Sequence, residues 1–234
     1  MKKGISLSGE DSSPGHQTVV IVDDHPMVRH GLAQLINQEP DLAVVGEAEG
    51  APEALDVIRT HKPTLAVIDI SLKEGDGIEL IQTLKGMPQA PRILVTSMHD
   101  ENIFAERALH AGAMGYLNKG EATEEVVAAL RQILTGKLYL SERMSDRMLM
   151  QVAGPSRQAE RNPIDRLSNR ELQVFQLIGE GQSTRSIAEH LHLSIKTIET
   201  HRASIKRKLN IETATELTRR AVQWVLEESH QTGH

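Results

Sequence analysis

A chain of 234 residues has room for one large domain or two ordinary ones, and 39% apolar with 25% charged residues fits a soluble globular protein. Lacking cysteine, it can build no disulfide, thiolate metal site or cysteine nucleophile, and with 2% aromatic residues its core must come from Leu, Ile, Val, Ala and Met. The net charge of −6 divides unevenly: residues 1–154 carry 14 basic and 22 acidic side chains, residues 155–234 carry 12 and 10, so the two parts suit different partners.

Residues 1–16 are rich in Ser, Gly, Asp and Glu and lack the apolar stretch of a signal peptide, which predicts a disordered tail. No apolar run approaches the ~20 residues needed to cross a bilayer, so the expectation is a cytoplasmic protein without membrane contact. From residue 17 short apolar runs alternate with amphipathic segments. The runs 18–22, 42–46, 64–68, 91–96 and 114–117 read as strands, and 26–37, 52–61, 77–84, 102–111 and 124–135 as helices. Five such units predict an α/β doubly wound, five-stranded parallel sheet of flavodoxin-like type over 17–138. A Met-rich helix capped by Ser141 follows at 141–151, within a linker region 139–163 that carries Pro155 and Pro163. Beyond it the chain is all-α. Ser168 and Glu171 form a capping box for a helix ending near Gly179; Ser183 caps a helix to about 191; Ser194 caps one to about 209 after a two-residue turn. Thr213 and Glu216 open a final helix to about 227, giving a four-helix domain at 164–228 and a tail at 229–234.

Asp23 and Asp24 follow the first strand and Asp69 the third, so a parallel sheet brings all three to one edge. Neighbouring carboxylates repel unless a cation joins them, and Mg²⁺ suits a site of carboxylates, waters and a phosphate oxygen. Thr96 and Lys119, from the ends of the fourth and fifth strands, add a hydroxyl and an ammonium to that edge. The set holds acids for a metal, a carboxylate nucleophile and two donors for a phosphoryl group.

Asp23-Asp24-His25-Pro26, Asp69, Thr96-Ser97 and Gly115-Tyr116-Leu117-Asn118-Lys119 resemble the receiver signature of two-component response regulators. The resemblance implies that Asp69 takes a phosphoryl group from a phosphohistidine of a sensor histidine kinase and slowly hydrolyses it, acting on no external substrate. It implies that Asp24 binds Mg²⁺ directly, with Asp23 assisting through water and Ser71 giving its backbone carbonyl. Thr96 and Lys119 would grip the phosphoryl oxygens, and Tyr116 would move inward as Thr96 shifts. Two features depart from the signature: the stretch Ser71-Leu72-Lys73-Glu74-Gly75-Asp76-Gly77 lacks the Met-Pro that is frequent shortly after the acceptor Asp, and Gly120 follows the lysine where Pro is frequent. Phosphohydrolases of the haloacid dehalogenase type also use an Asp nucleophile with Mg²⁺, Thr and Lys, but want a second Asp where this chain has Ser71. The other alternative is a receiver-like dimerisation scaffold whose DNA binding ignores phosphorylation.

At 100° per residue, Ile195, Ile198, Ile205 and Leu209 share one face of the 194–209 helix, while Lys196, Glu199, Thr200, Ala203 and Arg207 share the other. Arg202, Lys206 and Lys208 flank that second face, as in a recognition helix lying in a DNA major groove. Leu167-Ser168-Asn169-Arg170-Glu171-Leu172, Gly179-Glu180-Gly181-Gln182-Ser183, Ile187-Ala188-Glu189 and the segment from Lys196 to Arg202 resemble the LuxR-type domain. With the receiver, they make residues 18–227 similar to the NarL/FixJ family. That resemblance implies Glu199, Thr200 and Ala203 at base edges of double-stranded promoter DNA, and Lys196, Thr197, Arg202 and Lys206 on phosphates. It further implies a homodimer on activation, with the final helix supplying Leu217, Ala221, Trp224 and Val225, and a receiver that masks the 196–207 face at rest.

Overall fold

The computed structural model describes residues 16–98, 101–120, 122–153 and 163–230. The expected N-terminal tail apart from His16, the centre of the expected linker and residues 231–234 lie outside these.

Strands β1 (Gln17–Val22), β2 (Leu42–Ala48), β3 (Leu65–Asp69), β4 (Arg92–Ser97) and β5 (Gly115–Asn118) form one parallel sheet in the order β2-β1-β3-β4-β5. Because side chains alternate along a strand, the β-branched runs feed two cores. Val19 and Ile21 pack with Leu32 and Ile36 of α1 (Pro26–Asn37) and with Val126, Leu130 and Ile133 of α5 (Ala122–Leu134). Val20 and Val22 turn to the other face, with Ile58 of α2 (Ala51–His61), Ile81 and Leu84 of α3 (Gly77–Lys85), and Phe104 and Ala108 of α4 (Glu101–Ala111). The fold expected from the alternating pattern is present, with strand ends displaced by a residue or two.

After α5 the chain returns along the sheet edge. Tyr139 bridges Gly115, its N–H donating to the Met114 carbonyl (2.9 Å) and its carbonyl accepting from the Tyr116 N–H (3.1 Å). The Ser141 hydroxyl then accepts from the Met144 N–H (3.1 Å), capping α6 (Glu142–Ala153).

A 3-10 turn (Pro163–Arg166) leads into α7 (Asn169–Gly179), α8 (Thr184–His190), α9 (Ile195–Leu209) and α10 (Ala214–His230). The expected capping box is closed in both directions: Ser168 Oγ accepts from the Glu171 N–H, and Glu171 Oε2 from the Ser168 N–H. Ser183 and Ser194 cap α8 and α9. Helices α7 and α10 cross so closely at Gly179 that a Cβ there would stand 2.5 Å from the Ala221 carbonyl oxygen.

The two domains are docked. The guanidinium of Arg107 on α4 donates to the carbonyls of Ile164 (3.2 Å) and Leu167 (2.9 Å) and to Oδ1 of Asn169 (3.2 Å). The Asn169 amide reaches Asp76 Oδ1 at 3.4 Å, and the Gln173 amide donates to the Ser71 hydroxyl at 3.2 Å. Among the described residues no helix is long and apolar enough to cross a membrane.

Candidate functional site

Strand order reverses at β1, whose neighbours β2 and β3 lie on opposite sides, and the carboxyl ends of β1 and β3 meet at this switch point. Asp23 and Asp24 leave β1 there, and Asp69 ends β3. One ligand atom from each of Asp23, Asp24, His25 and Asp69 lies within 4.8 Å of the others. Register does the rest: Asp69 pairs with Thr96 across β3 and β4, and the backbone N–H of Lys119 donates to the Ser97 carbonyl at 2.8 Å. The Lys119 ammonium thereby reaches Asp23 Oδ2 at 2.6 Å and Asp69 Oδ2 at 2.7 Å.

Asp69 is 2% exposed. Burial pushes its carboxyl up to about 6, the Asp23 charge adding to the rise and Lys119 opposing it. Burial also works against the Lys119 charge, but Asp69 and Asp23 outweigh it and hold the ammonium above its usual range. The Ser71 N–H donates to Asp69 Oδ1 at 3.1 Å. Gly77 is required beside it, because a Cβ at that position would stand 2.1 Å from the Asp69 carbonyl oxygen. The start of α3, capped by Asp76, therefore seats directly on the end of β3.

Three carboxylates against one ammonium leave the pocket negative. Asp23 Oδ2 and Asp24 Oδ1 are buried, 2.6 Å from Lys119 Nζ and from His25 Nδ1 respectively. The buried Thr96 hydroxyl has no hydrogen-bond partner among the described residues. Clustered hard carboxylate oxygens in excess of the cations beside them fit a divalent cation such as Mg²⁺. Tyr116 is already inside the core, 2% exposed, whereas the resemblance implied that it moves inward as Thr96 shifts. It belongs to the core on the sheet face covered by α2, α3 and α4, with Phe104 and Ala108.

Two contributors were missed. His25 joins the acidic cluster, with Nδ1 2.6 Å from Asp24 Oδ1. Arg29 is buried, its guanidinium donating to the Asp23 carbonyl (2.6 Å), Glu49 (2.9 Å) and Glu47 (3.3 Å), so it ties the end of β1 to β2. Its signal was a cation on the Leu32 and Ile36 face of an amphipathic helix.

On α9, Lys196, Glu199, Thr200, Ala203 and Arg207 are exposed along one face, with Thr197, Arg202 and Lys206 half-buried at its margins. Ile198 and Ile205 are buried against the domain core. The expectation that the receiver masks this face does not hold. The receiver instead meets α7 and the turn before α9, where Arg170 and His192 face the acids. The dimer expectation also needs correction. Leu217, Ala221 and Trp224 are buried in the domain's own core, Trp224 lying 5.6 Å from the Phe175 ring of α7, and Val225 packs beside Gly179. The apolar stripe on α10 is the packing side; among the described residues Val222 and Leu226 are the large apolar side chains exposed on the helix.

Residues 19–131 match the family described as "Response regulator receiver domain", and residues 165–221 match "Bacterial regulatory proteins, luxR family". The response regulator UvrY of Escherichia coli is 33% identical over 88% of this chain and 93% of its own length. The chain belongs to the NarL/FixJ family of response regulators. It is thus a DNA-binding transcription regulator, in a family whose members are not enzymes acting on external substrates. The oxygen regulatory protein NreC of Staphylococcus carnosus is 32% identical to the regulator over 88% of this chain and 96% of its own. A structure of RcsB from Salmonella enterica serovar Typhimurium bound to promoter rprA with the phosphomimetic BeF3⁻ aligns with a TM-score of 0.57 at 27% identity, covering 88% of this chain and 99% of that one.

Proposed function

We propose that the regulator is switched by phosphorylation of Asp69 from the phosphohistidine of a sensor histidine kinase, and that the switched protein binds promoter DNA in the cytoplasm as a homodimer. The observation that carries this reading is the surround of Asp69: a cluster of carboxylates on one side, and on the other the Lys119 ammonium with a Thr96 hydroxyl that has no partner among the described residues.

An Asp69 carboxylate oxygen attacks phosphorus as the P–N bond of phosphohistidine breaks; the imidazole departs and an acyl phosphate remains. Asp23, Asp24, Asp69 and the Ser71 carbonyl would hold Mg²⁺, which supplies charge neutralisation when bound. Lys119 then exchanges its bond to Asp69 for a phosphoryl oxygen, and Thr96 gains in the same group the partner it lacks. Displacement of Thr96 and Lys119 moves the ends of β4 and β5, and Tyr116 follows. Water later cleaves the acyl phosphate slowly.

In the DNA complex, Glu199, Thr200 and Ala203 meet base edges, with Arg207 beside them, while Lys196, Thr197, Arg202 and Lys206 hold phosphates. An exposed α9 face flanked by bases supports this reading, as does the promoter-bound state of RcsB. Intact-protein mass after incubation with Mg²⁺ and acetyl phosphate tests the switch. One added phosphoryl group, absent in Asp69→Asn, is the expected result. No gain with any donor would leave the scaffold reading in its place.

A further inference from the structure

We infer that the DNA-binding domain plugs the phosphoacceptor pocket, and that the plug and the divalent cation compete for Asp24. The inference deepens the phosphoacceptor reading above and rests on it for its effect on phosphorylation. Four groups from the C-terminal domain bear on the pocket: Gln173 on the Ser71 hydroxyl (3.2 Å), Asn169 on Asp76 (3.4 Å), Arg170, and His192, whose Nε2 is 3.9 Å from Asp24 Oδ2. The ring of His192 also meets that of His25 edge-on, with centroids 6.2 Å apart. Between the domains remains a cavity of about 330 Å³, lined by Asp24, Asp69 and Lys119 on one side and by Arg170, Leu191 and His192 on the other. That space holds about ten waters. It has no room for the folded domain of a phosphodonor protein, so such a donor needs the domains apart.

Charge divides the pocket in a particular way. Lys119 serves Asp23 and Asp69, which leaves Asp24 to the histidines and to the docked domain. Arg170 is held by the Gln173 side chain (2.9 Å) and the Leu191 carbonyl (3.0 Å), near enough to Asp24, Asp69 and Asp76 for their charges to act on it. The docked domain thus places His192 beside the acid that the receiver resemblance assigns to direct metal contact, with Arg170 and Glu189 of the same domain lining the cavity next to it. Two ligands that require the same carboxylate are linked reciprocally: docking weakens cation binding, and the cation weakens docking by the same factor.

The cysteine-free chain offers a direct test. Arg107→Cys with Asn169→Cys places one thiol on each domain at a contact that is 3.2 Å in the parent. A short bismaleimide locks the docked state, and N-ethylmaleimide caps both thiols and disrupts it. Free Mn²⁺, read by electron paramagnetic resonance, reports cation affinity in each form, and intact mass reports phosphoryl uptake from acetyl phosphate. We expect the capped form to bind Mn²⁺ at least tenfold more tightly and to take up the phosphoryl group at least tenfold faster. An Arg170→Gln chain, uncrosslinked, should move Mn²⁺ affinity several-fold in the same direction. Equal Mn²⁺ affinity in locked and capped forms overturns the inference. Tighter Mn²⁺ binding in the capped form with no phosphoryl uptake in either would uphold the competition and reject the phosphoacceptor reading.

Discussion

Nζ of Lys119 stands 2.7 Å from Oδ2 of Asp69, so the cation that would stabilise a transferred phosphoryl group already grips the oxygen that would receive it. Lys119→Met removes that grip and leaves Asp23 and Asp69 facing each other uncompensated. We expect phosphoryl uptake from acetyl phosphate to slow on the order of 100-fold, the usual effect of deleting one preorganised donor. Time-resolved intact mass checks this; an unchanged rate would remove Lys119 from the site.

The raised carboxyl of Asp69 has a consequence for stability. With its value pushed to about 6 in the folded chain against 3.8 for an ordinary Asp, the folded state binds this proton more tightly than the unfolded one. The group's favourable contribution is complete below pH 4 and is lost as pH rises through 6, on the order of 3 kcal/mol by pH 7.5. In EDTA, Asp69→Asn should therefore melt higher than the parent at pH 7.5, with the gap narrowing toward pH 5. A gap that stays constant over that range sinks the assignment.

Helix α10 separates two roles by side. Leu217 is fully buried, so Leu217→Ala should destabilise the DNA-binding domain by about 2–5 kcal/mol through the cavity it leaves. Leu226 is 53% exposed, and Leu226→Glu should leave the melting temperature within a degree or two while weakening any dimer built on this helix. Sedimentation of phosphorylated protein on DNA distinguishes the outcomes; an undiminished dimer in Leu226→Glu would move the interface elsewhere.

On α9, Lys196 and Glu199 should fail differently. Lys196→Ala should weaken binding evenly across DNA sequences and reduce the salt slope by about one, as loss of a single phosphate contact does. Glu199→Ala should alter the ranking of sequences with little change in slope. Fluorescence anisotropy on a panel of duplexes at several salt concentrations reads both quantities. Matching behaviour of the two variants would reject the division of roles.

Much of this was legible in the chain because it is local. The unbroken apolar run Val19-Val20-Ile21-Val22 marks a strand buried on both faces, and Ser168 with Glu171 marks a helix start, without reference to anything distant. The acidic pocket was legible for a related reason: strand ends of a parallel sheet converge, so Asp23, Asp24, Asp69, Thr96 and Lys119 needed only correct strand boundaries. What stayed hidden is set by partners far along the chain. Arg29 reads as an ordinary helix cation until Glu47 at the end of β2 and Glu49 just past it are beside it. A helical wheel finds the Leu217 and Ala221 stripe but cannot say whether α7 or a second molecule covers it. The docking through Arg107, Asn169 and Gln173 joins residues separated by 60 to more than 100 positions, and no local pattern announces it.

The bridge from Tyr139 to Gly115 means that the receiver does not end with α5. With α6 also folded, only residues 154–162 separate it from the turn that begins the second domain at Pro163. Neighbours joined over so short a span meet at a local concentration on the order of millimolar. A contact far too weak to hold two separate molecules together at cellular abundance is then enough to keep one chain folded onto itself. Severed at the linker, the two halves mixed at micromolar concentration should ignore each other.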